Sequence, residues 1–342
     1  MRLAAQIVAL RTRHPFVIAR GGAAEHRVVW VTLTDADGAT GMGEAAPNRY
    51  YGETPESVLA ALDRYATLLA DADAWDVEGI EAALPALLRG NPSARSAVSA
   101  ALHDLMGRRL GVPLYRLWGL DPARAPRSSF TIGIVAEDDA LRARVAEAAP
   151  YPILKIKLGS PRDEHVLRVV REAAPHKTLR VDANAAWSAK QAVRMCALLE
   201  EHGVELVEQP VAAHDLEGLR FVRERTRLPV IADESCLVAS DVVRLAGLVD
   251  GVNLKLAKCG GLREALRIIA TARAHGLLVM TGCMVETSLG ITAAAHLAPL
   301  LDYADLDGAA LLADDPIRGA TIDGGEIRLP EGPGLGVERR GT

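Results

Sequence analysis

Residues 179–210 read LRVDANAAWSAKQAVRMCALLEEHGVELVEQP. An apolar run ending in an acid gives way to apolar residues at helical spacing, then to a second apolar run ending in an acid. This is one strand–helix–strand unit, with Asp182 and Glu208 at the two strand ends. The pattern continues on both sides. SFTIGIV (129–135), ILKIKLG (153–159), LRVDAN (179–184), ELVEQP (205–210), PVIADES (229–235), GVNLKLAK (251–258), LLVMTGC (277–283) and YADLDG (303–308) all read as strands. Amphipathic stretches such as GLREALRIIATARAHG (261–276) separate them. Eight such units predict an α/β fold, a (β/α)8 or modified TIM barrel. An open doubly wound sheet is the alternative, and no GxGxxG loop supports it.

The first 120 residues follow another rule. QIVALRT, HPFVIAR and HRVVWVTLTDADGATGMGEA read as antiparallel strands, with Asp37-Gly38 at a turn. Three helical stretches follow, PESVLAALDRYATLLADA, VEGIEAALPALLRG and SARSAVSAALHDLMGRRLG, the last with Ser93 as its cap and Gly111 as its stop. The expected organisation is therefore an α+β capping domain over residues 1–120 and a barrel over 121–319, with the 320–342 tail returning to the cap.

Composition narrows the function. Lys plus Arg number 39 against 44 Asp plus Glu, a net charge of −5, so the basic excess of a nucleic-acid binder is missing. With 49% hydrophobic and 24% charged residues the chain is an ordinary globular one, and no apolar run is long enough to span a bilayer. The N-terminal stretch MRLAAQIVALRTRHPF alternates like a strand, so export is not expected, and Cys196, Cys236, Cys259 and Cys283 form no CxxC pair. A cytoplasmic protein with reduced thiols is expected. Homo-oligomerisation is left open.

Six of the eight strands end in charge, where barrel strands should be apolar. The residues are Lys155 and Lys157, Asp182, Glu208, Asp233 and Glu234, Lys255, and Asp305 and Asp307. Lys157, Asp182, Glu208, Asp233 and Lys255 follow one another at 25, 26, 25 and 22 residues, about one βα unit each time. They therefore occupy equivalent places at the C-terminal strand ends, where barrel enzymes carry their chemistry. Single strand-end acids are commonly helix caps, but capping does not explain a set at one repeat length. Asp182, Glu208 and Asp233 on adjacent strands suit a hard cation, Mg2+ before Ca2+ or Mn2+, one per subunit. Glu234 falls on the other face, in a supporting or salt-bridge role, and Lys258, out of phase with Lys255, reads as structural. Lys155 and Lys157 share a face, and their crowding is expected to lower the pKa of at least one. Lys255 lies four strands on, diametrically opposite. Two opposed lysines beside a metal are what a racemase or epimerase needs, one removing a proton and the other returning it to the opposite face.

With these residues placed, the sequence resembles the enolase superfamily in its muconate-lactonising-enzyme subgroup. The resemblance is carried by KIK (155–157), DAN (182–184), EQP (208–210), ADES (232–235), KLAKCGG (255–261) and GCMVETS (282–288). Within the subgroup it is most similar to dipeptide epimerases, through DLD (305–307) and HPFVIARG (14–21). The resemblance implies a Mg2+-dependent two-base transfer at the α-carbon of the C-terminal residue of L-Ala-D/L-Glu, in murein peptide metabolism. It also implies Lys157 and Lys255 as the bases, Lys155 on the substrate carboxylate, Asp305 and Asp307 on its ammonium, Arg20 on its side chain, and Thr131 and Cys283 in the pocket wall. N-acylamino-acid racemase or o-succinylbenzoate synthase of the same superfamily is the runner-up, and a catalytically silent metal-binding scaffold is the alternative of another class.

Overall fold

The computed structural model describes residues 1–341, so Thr342, the end of the 320–342 tail, lies outside the described residues. All eight expected barrel strands form. After the three N-terminal strands they are β4 (Phe130–Ile132), β5 (Ile153–Lys157), β6 (Thr178–Asp182), β7 (Val204–Glu208), β8 (Val230–Ala232), β9 (Gly251–Leu254), β10 (Leu278–Thr281) and β11 (Tyr303–Ala304). They pair in parallel and in sequence order. A parallel bridge between Ser128 and Ala304, with Ser129 N donating to Ala304 O at 3.0 Å, brings the last strand against the first and closes the sheet.

Strand alternation divides the side chains into two sets. Leu154, Ile156, Leu179, Val181, Val207, Val230, Val252 and Val279 join the main core with helix residues such as Val166, Val170, Leu199, Leu219 and Ile268. The opposite set faces the barrel axis. Two positions before the charged ends it includes Leu206 and Ile231, which form with Met280 a small apolar cluster of their own. The charged layer thus stands on a buried floor in which this apolar cluster sits beside Lys155, Arg180 and Asn253, and electrostatic interactions are strong there.

The cap is a sheet of β1 (Arg2–Ile18), β2 (Gly21–Thr34) and β3 (Thr40–Ala45), covered by helices α1 (Pro55–Asp71), α2 (Val77–Leu87) and α3 (Pro92–Leu110). Gly41 and Gly43 let α3 lie on the backbone of β3, since an added Cβ would come within 2.0 Å of Ala101 O and Ala97 O. Gly111 ends α3 in the left-handed region at φ 69°, as expected, but Asn91 rather than Ser93 stands at its start. Ser93 lies within the first turn and gives both its amide and its hydroxyl to Glu53. The two strands expected over QIVALRT and HPFVIAR are one long strand, shifted in register between Arg11 and Phe16. Its far end makes a tight hairpin with β2, and Ile134 N donates to Val17 O at 2.8 Å, so the hairpin reaches the barrel mouth with Ala19 and Arg20 at its tip.

The tail divides. Its hairpin, Thr321–Asp323 with Glu326–Arg328, receives the Ser128 amide on Gly325 O at 2.8 Å, before the first barrel strand begins. Gly334 and Leu335 reach the cap side, bonded to Val112, Leu114 and Asp104. Among the described residues no helix is long and apolar enough to cross a membrane. All four cysteines are free.

Candidate active site

The strand register brings the charged residues together. Lys157 is the direct neighbour of Asp182 and Asp182 of Glu208, while Asp233 follows the end of β8 and Lys255 the end of β9. Asp182, Glu208 and Asp233 are fully buried, and each offers an oxygen within 4.8 Å of the others. A cation with oxygen bonds of about 2.1 Å spans such a group. Glu208 Oε2 lies 2.7 Å from Lys155 Nζ but off the direction of a hydrogen bond, and it makes none. Asn184 Oδ1, Glu234 Oε2 and Asn253 Oδ1 are likewise buried acceptors without donors. Unmatched oxygens in a dry carboxylate cluster fit a hard cation.

The loops behind these residues are strained. Asn184, Ala185 and Gln209 hold positive φ of 45°, 65° and 36°, just after Asp182 and Glu208, in a region that side chains other than glycine seldom enter. Asn184 donates its amide and its Nδ2 to the two oxygens of Asp182, at 2.8 and 3.2 Å. Gln209 Oε1 accepts from the amides of Asp233 and Ser235, tying the end of β8 to β7.

The lysines balance the acids. Lys157 Nζ donates to Asp182 at 2.6 Å, and Lys255 Nζ to Asp233 at 2.8 Å. Burial opposes ionisation of Asp182 and Asp233, yet Lys157 and Lys155 in the first case, and Lys255 and Lys258 in the second, hold both below the usual carboxylate range. Glu208 rises to about 7, chiefly through burial and then through Asp182. The expectation that crowding lowers a lysine pKa does not hold for Lys155. Burial acts in that direction, but Asp305, Glu208 and Asp182 surround its ammonium and keep its pKa well above the ordinary value. Lys255 is raised in the same way: burial acts against its charge, but Asp233, Glu208 and Glu234 together outweigh it.

A cavity of about 790 Å3 opens above this layer, with Lys157, Asp233 and Lys255 in its wall, along with Thr131, Cys283, Asp305, Asp307 and Arg20. Lys155 does not reach that wall. It is 1% exposed and occupied by three carboxylates, so in this structure it balances charge beneath the cavity. Asp305 accepts from Ser129 Oγ at 2.6 Å and from Lys155 at 2.7 Å, while Asp307 accepts from the amide of Thr131 at 2.6 Å. Asp305 is paired with Lys155, whereas Asp307 makes no salt bridge among the described residues, and burial with the neighbouring Asp305 pushes it up to about 7. Burial, with Asp307 and Asp305, pushes the Cys283 thiol well up and makes it an unreactive wall.

Arg20 reaches across from the hairpin tip. Its guanidinium donates to Asn184 O and to Glu234 Oε1, both at 2.7 Å, and lies 4.2 Å from the centre of the Tyr50 ring. Glu234 thus finds its partner in the cap, not in a neighbouring lysine. The importance of several residues escaped the sequence. Lys258, expected to be merely structural, gives its buried ammonium to Asp233 Oδ1 and to the carbonyls of Asp233 and Asn253. It occupies a short helix, Leu256–Cys259, where strand alternation no longer applies. Asn184 and Gln209 stand in motifs already noted, and only their backbone conformation shows what they do. Tyr50 and Tyr51 line the cavity with no periodic signal to mark them.

A (β/α)8 barrel with three carboxylates on successive strand ends, lysines on the second and sixth strands and an α+β cap over its mouth defines the enolase-superfamily class. The chain belongs to the mandelate racemase/muconate lactonizing enzyme family: residues 2–119 match its N-terminal domain and residues 137–341 the enolase C-terminal domain-like model. It is 39% identical over 96% of its length to an L-Ala-D/L-Glu epimerase of Bacteroides thetaiotaomicron, covering 85% of that protein. It is 42% identical to a hydrophobic dipeptide epimerase of Roseobacter litoralis, over 98% of each chain. The dipeptide epimerase of Enterococcus faecalis V583, solved with Mg and L-Leu-L-Tyr, superposes with a TM-score of 0.94 at 33% identity, over 99% of both chains.

Proposed function

We propose that this chain is a Mg2+-dependent dipeptide epimerase, an isomerase that inverts the α-carbon of the C-terminal residue, with L-Ala-D/L-Glu as substrate. The observation that carries the reading is the wall of one cavity, where Lys157 and Lys255 come from opposed strands and Asp305 and Asp307 from the eighth. Asp182, Glu208 and Asp233 would hold Mg2+, which supplies Lewis-acid stabilisation of the charge that develops on the substrate carboxylate. Lys157 and Lys255 flank the α-carbon. One, as the neutral amine, takes the proton, and the other, as the ammonium, delivers a proton to the opposite face. Their carboxylate partners, Asp182 and Asp233, orient the two amines.

Asp307 lacks a cation, and the free ammonium of a dipeptide supplies one. An N-acylamino acid would not, which disfavours the racemase and synthase readings, and a silent scaffold would have no use for opposed lysines. Arg20 keeps N–H donors beyond the two it spends, available for a glutamate carboxylate. We read residues 1–120, with the end of the tail around Gly334 and Leu335 bonded to them, as the specificity cap, and residues 121–319, with the tail hairpin 321–328 against them, as the catalytic barrel. We place the protein in the cytoplasm, in murein peptide use, a reading that the four free thiols support. The test is NMR in D2O with Mg2+. Deuterium should enter the α-position of L-Ala-L-Glu, and absence of exchange across a dipeptide panel would overturn the proposal.

A further inference from the structure

Glu234 is the one buried acid beside the carboxylate triad that the proposed chemistry leaves without a task. Its side chain has no exposure, Asn184 Nδ2 lies 3.4 Å from its Oε1, and its Oε2 has no partner. The cation that meets it comes from more than 200 residues away in sequence, from Arg20. Arg20 is 29% exposed and stands at the tip of a hairpin that also meets the barrel through the Ile134–Val17 backbone bond, Phe16 and Val17 against Gly133, and Ala19 near Gly159. The two bonds made by Arg20 end on Glu234 and on the carbonyl of Asn184, the residue that holds Asp182. Tyr50, on a separate turn of the cap, lies against the same guanidinium.

We propose that Arg20 and Glu234 form a latch that holds the β1–β2 hairpin closed over the barrel mouth, with Glu234 as its anchoring, positioning residue. This deepens the functional reading, on which its kinetic part rests, by giving Arg20 a task independent of the substrate side chain. A charged pair with a buried member holds a short exposed hairpin firmly, because opening it leaves Glu234 buried and without a cation. Closing also brings Arg20 and Tyr50 together as one rim of the cavity, so the subsite for the C-terminal side chain is complete only in the latched state. Glu234 therefore contributes equally for every dipeptide. Arg20 contributes that same amount, plus a selective share for acidic side chains.

Hydrogen exchange on the full-length protein, without substrate, tests the latch apart from activity. In both Arg20→Ala and Glu234→Gln, amides of residues 16–23 should exchange at least about tenfold faster than in the wild type, with the barrel strands unchanged. Arg20→Ala alters only the hairpin tip, so it keeps the test open if Glu234→Gln folds poorly. With dipeptides, Glu234→Gln should lower kcat/KM by one common factor for L-Ala-L-Glu and for L-Ala-L-Leu. Unchanged exchange at residues 16–23 in the folded variants, or a loss confined to acidic dipeptides in Glu234→Gln, would overturn the latch. If the wild type turns over no dipeptide at all, the functional reading fails while the exchange experiment still decides the latch.

Discussion

The barrel mouth and the lip of the cap meet over one cavity but are built on different terms. In the mouth, Lys157, Asp182 and Glu208 are register neighbours on paired strands, so backbone hydrogen bonds fix their spacing before any side-chain contact forms. On the lip, Arg20 and Tyr50 come from a hairpin tip and a short turn; a stacking contact joins them, and two long-range bonds tie Arg20 to Asn184 and Glu234 of the barrel. On the proposed reading, the strand-held region carries the groups that move protons, and the lip carries those that discriminate. A barrel that keeps chemistry on its strands and variation in its loops can change substrate without rebuilding its catalytic groups. The relatives named for glutamate and for hydrophobic dipeptides fit that division.

If the division is sound, damage to the mouth should abolish turnover and damage to the lip should tune it. Lys157→Ala and Lys255→Ala should each cut inversion by about a thousandfold or more, measured by polarimetry; full activity in either would break the two-base assignment. Asp233→Asn should come next, loosening Mg2+ by about a hundredfold in titration calorimetry, since it removes a candidate ligand and the partner of both Lys255 and Lys258. Asp307→Asn should raise KM about thirty- to a hundredfold for dipeptides with a free amine. Because Asp307 is raised to about 7 and must be ionised to hold an ammonium, KM in the wild type should fall as pH rises through that value. The variant should lose this dependence. The same group holds a proton in the folded state that the unfolded chain has released above pH about 4, so its share of stability declines from there up to pH about 7. The smallest effect is expected on the lip. The selective part of Arg20→Ala should be about tenfold between acidic and apolar C-terminal residues, and no such preference would detach Arg20 from the side-chain subsite.

The same contrast explains what could be read from the sequence. All eight strands, and the charged ends of six of them, are legible because a barrel repeats at nearly constant intervals. Glu234 was recognised as lying off the ligand face, but its partner came from the cap, and no local pattern reports a contact across that distance. The long β1 was read as two strands because the polar stretch Arg11–His14 interrupts alternation, whereas the structure absorbs it as a shift in register. Lys258 escapes because strand phase does not apply four residues beyond the strand, on a helix. For Lys155 the decisive surroundings are not local. A neighbouring ammonium is visible two positions away in sequence, while Asp305, which matters more, stands at the far end of the barrel sheet.

The closing bridge between Ser128 and Ala304 has a consequence for the order in which the protein is made. Asp305 and Asp307 are held by Ser129 and Thr131, so the ammonium clamp is shared between the first barrel strand and the last. A ribosome that has released seven strands has supplied all three candidate metal-site carboxylates, Lys157 and Lys255, and the Ser129–Thr131 half of the clamp, yet neither of its acids. On the proposed reading, amine recognition is thus the last property the nascent chain acquires, and a fragment ending before Tyr303 lacks it.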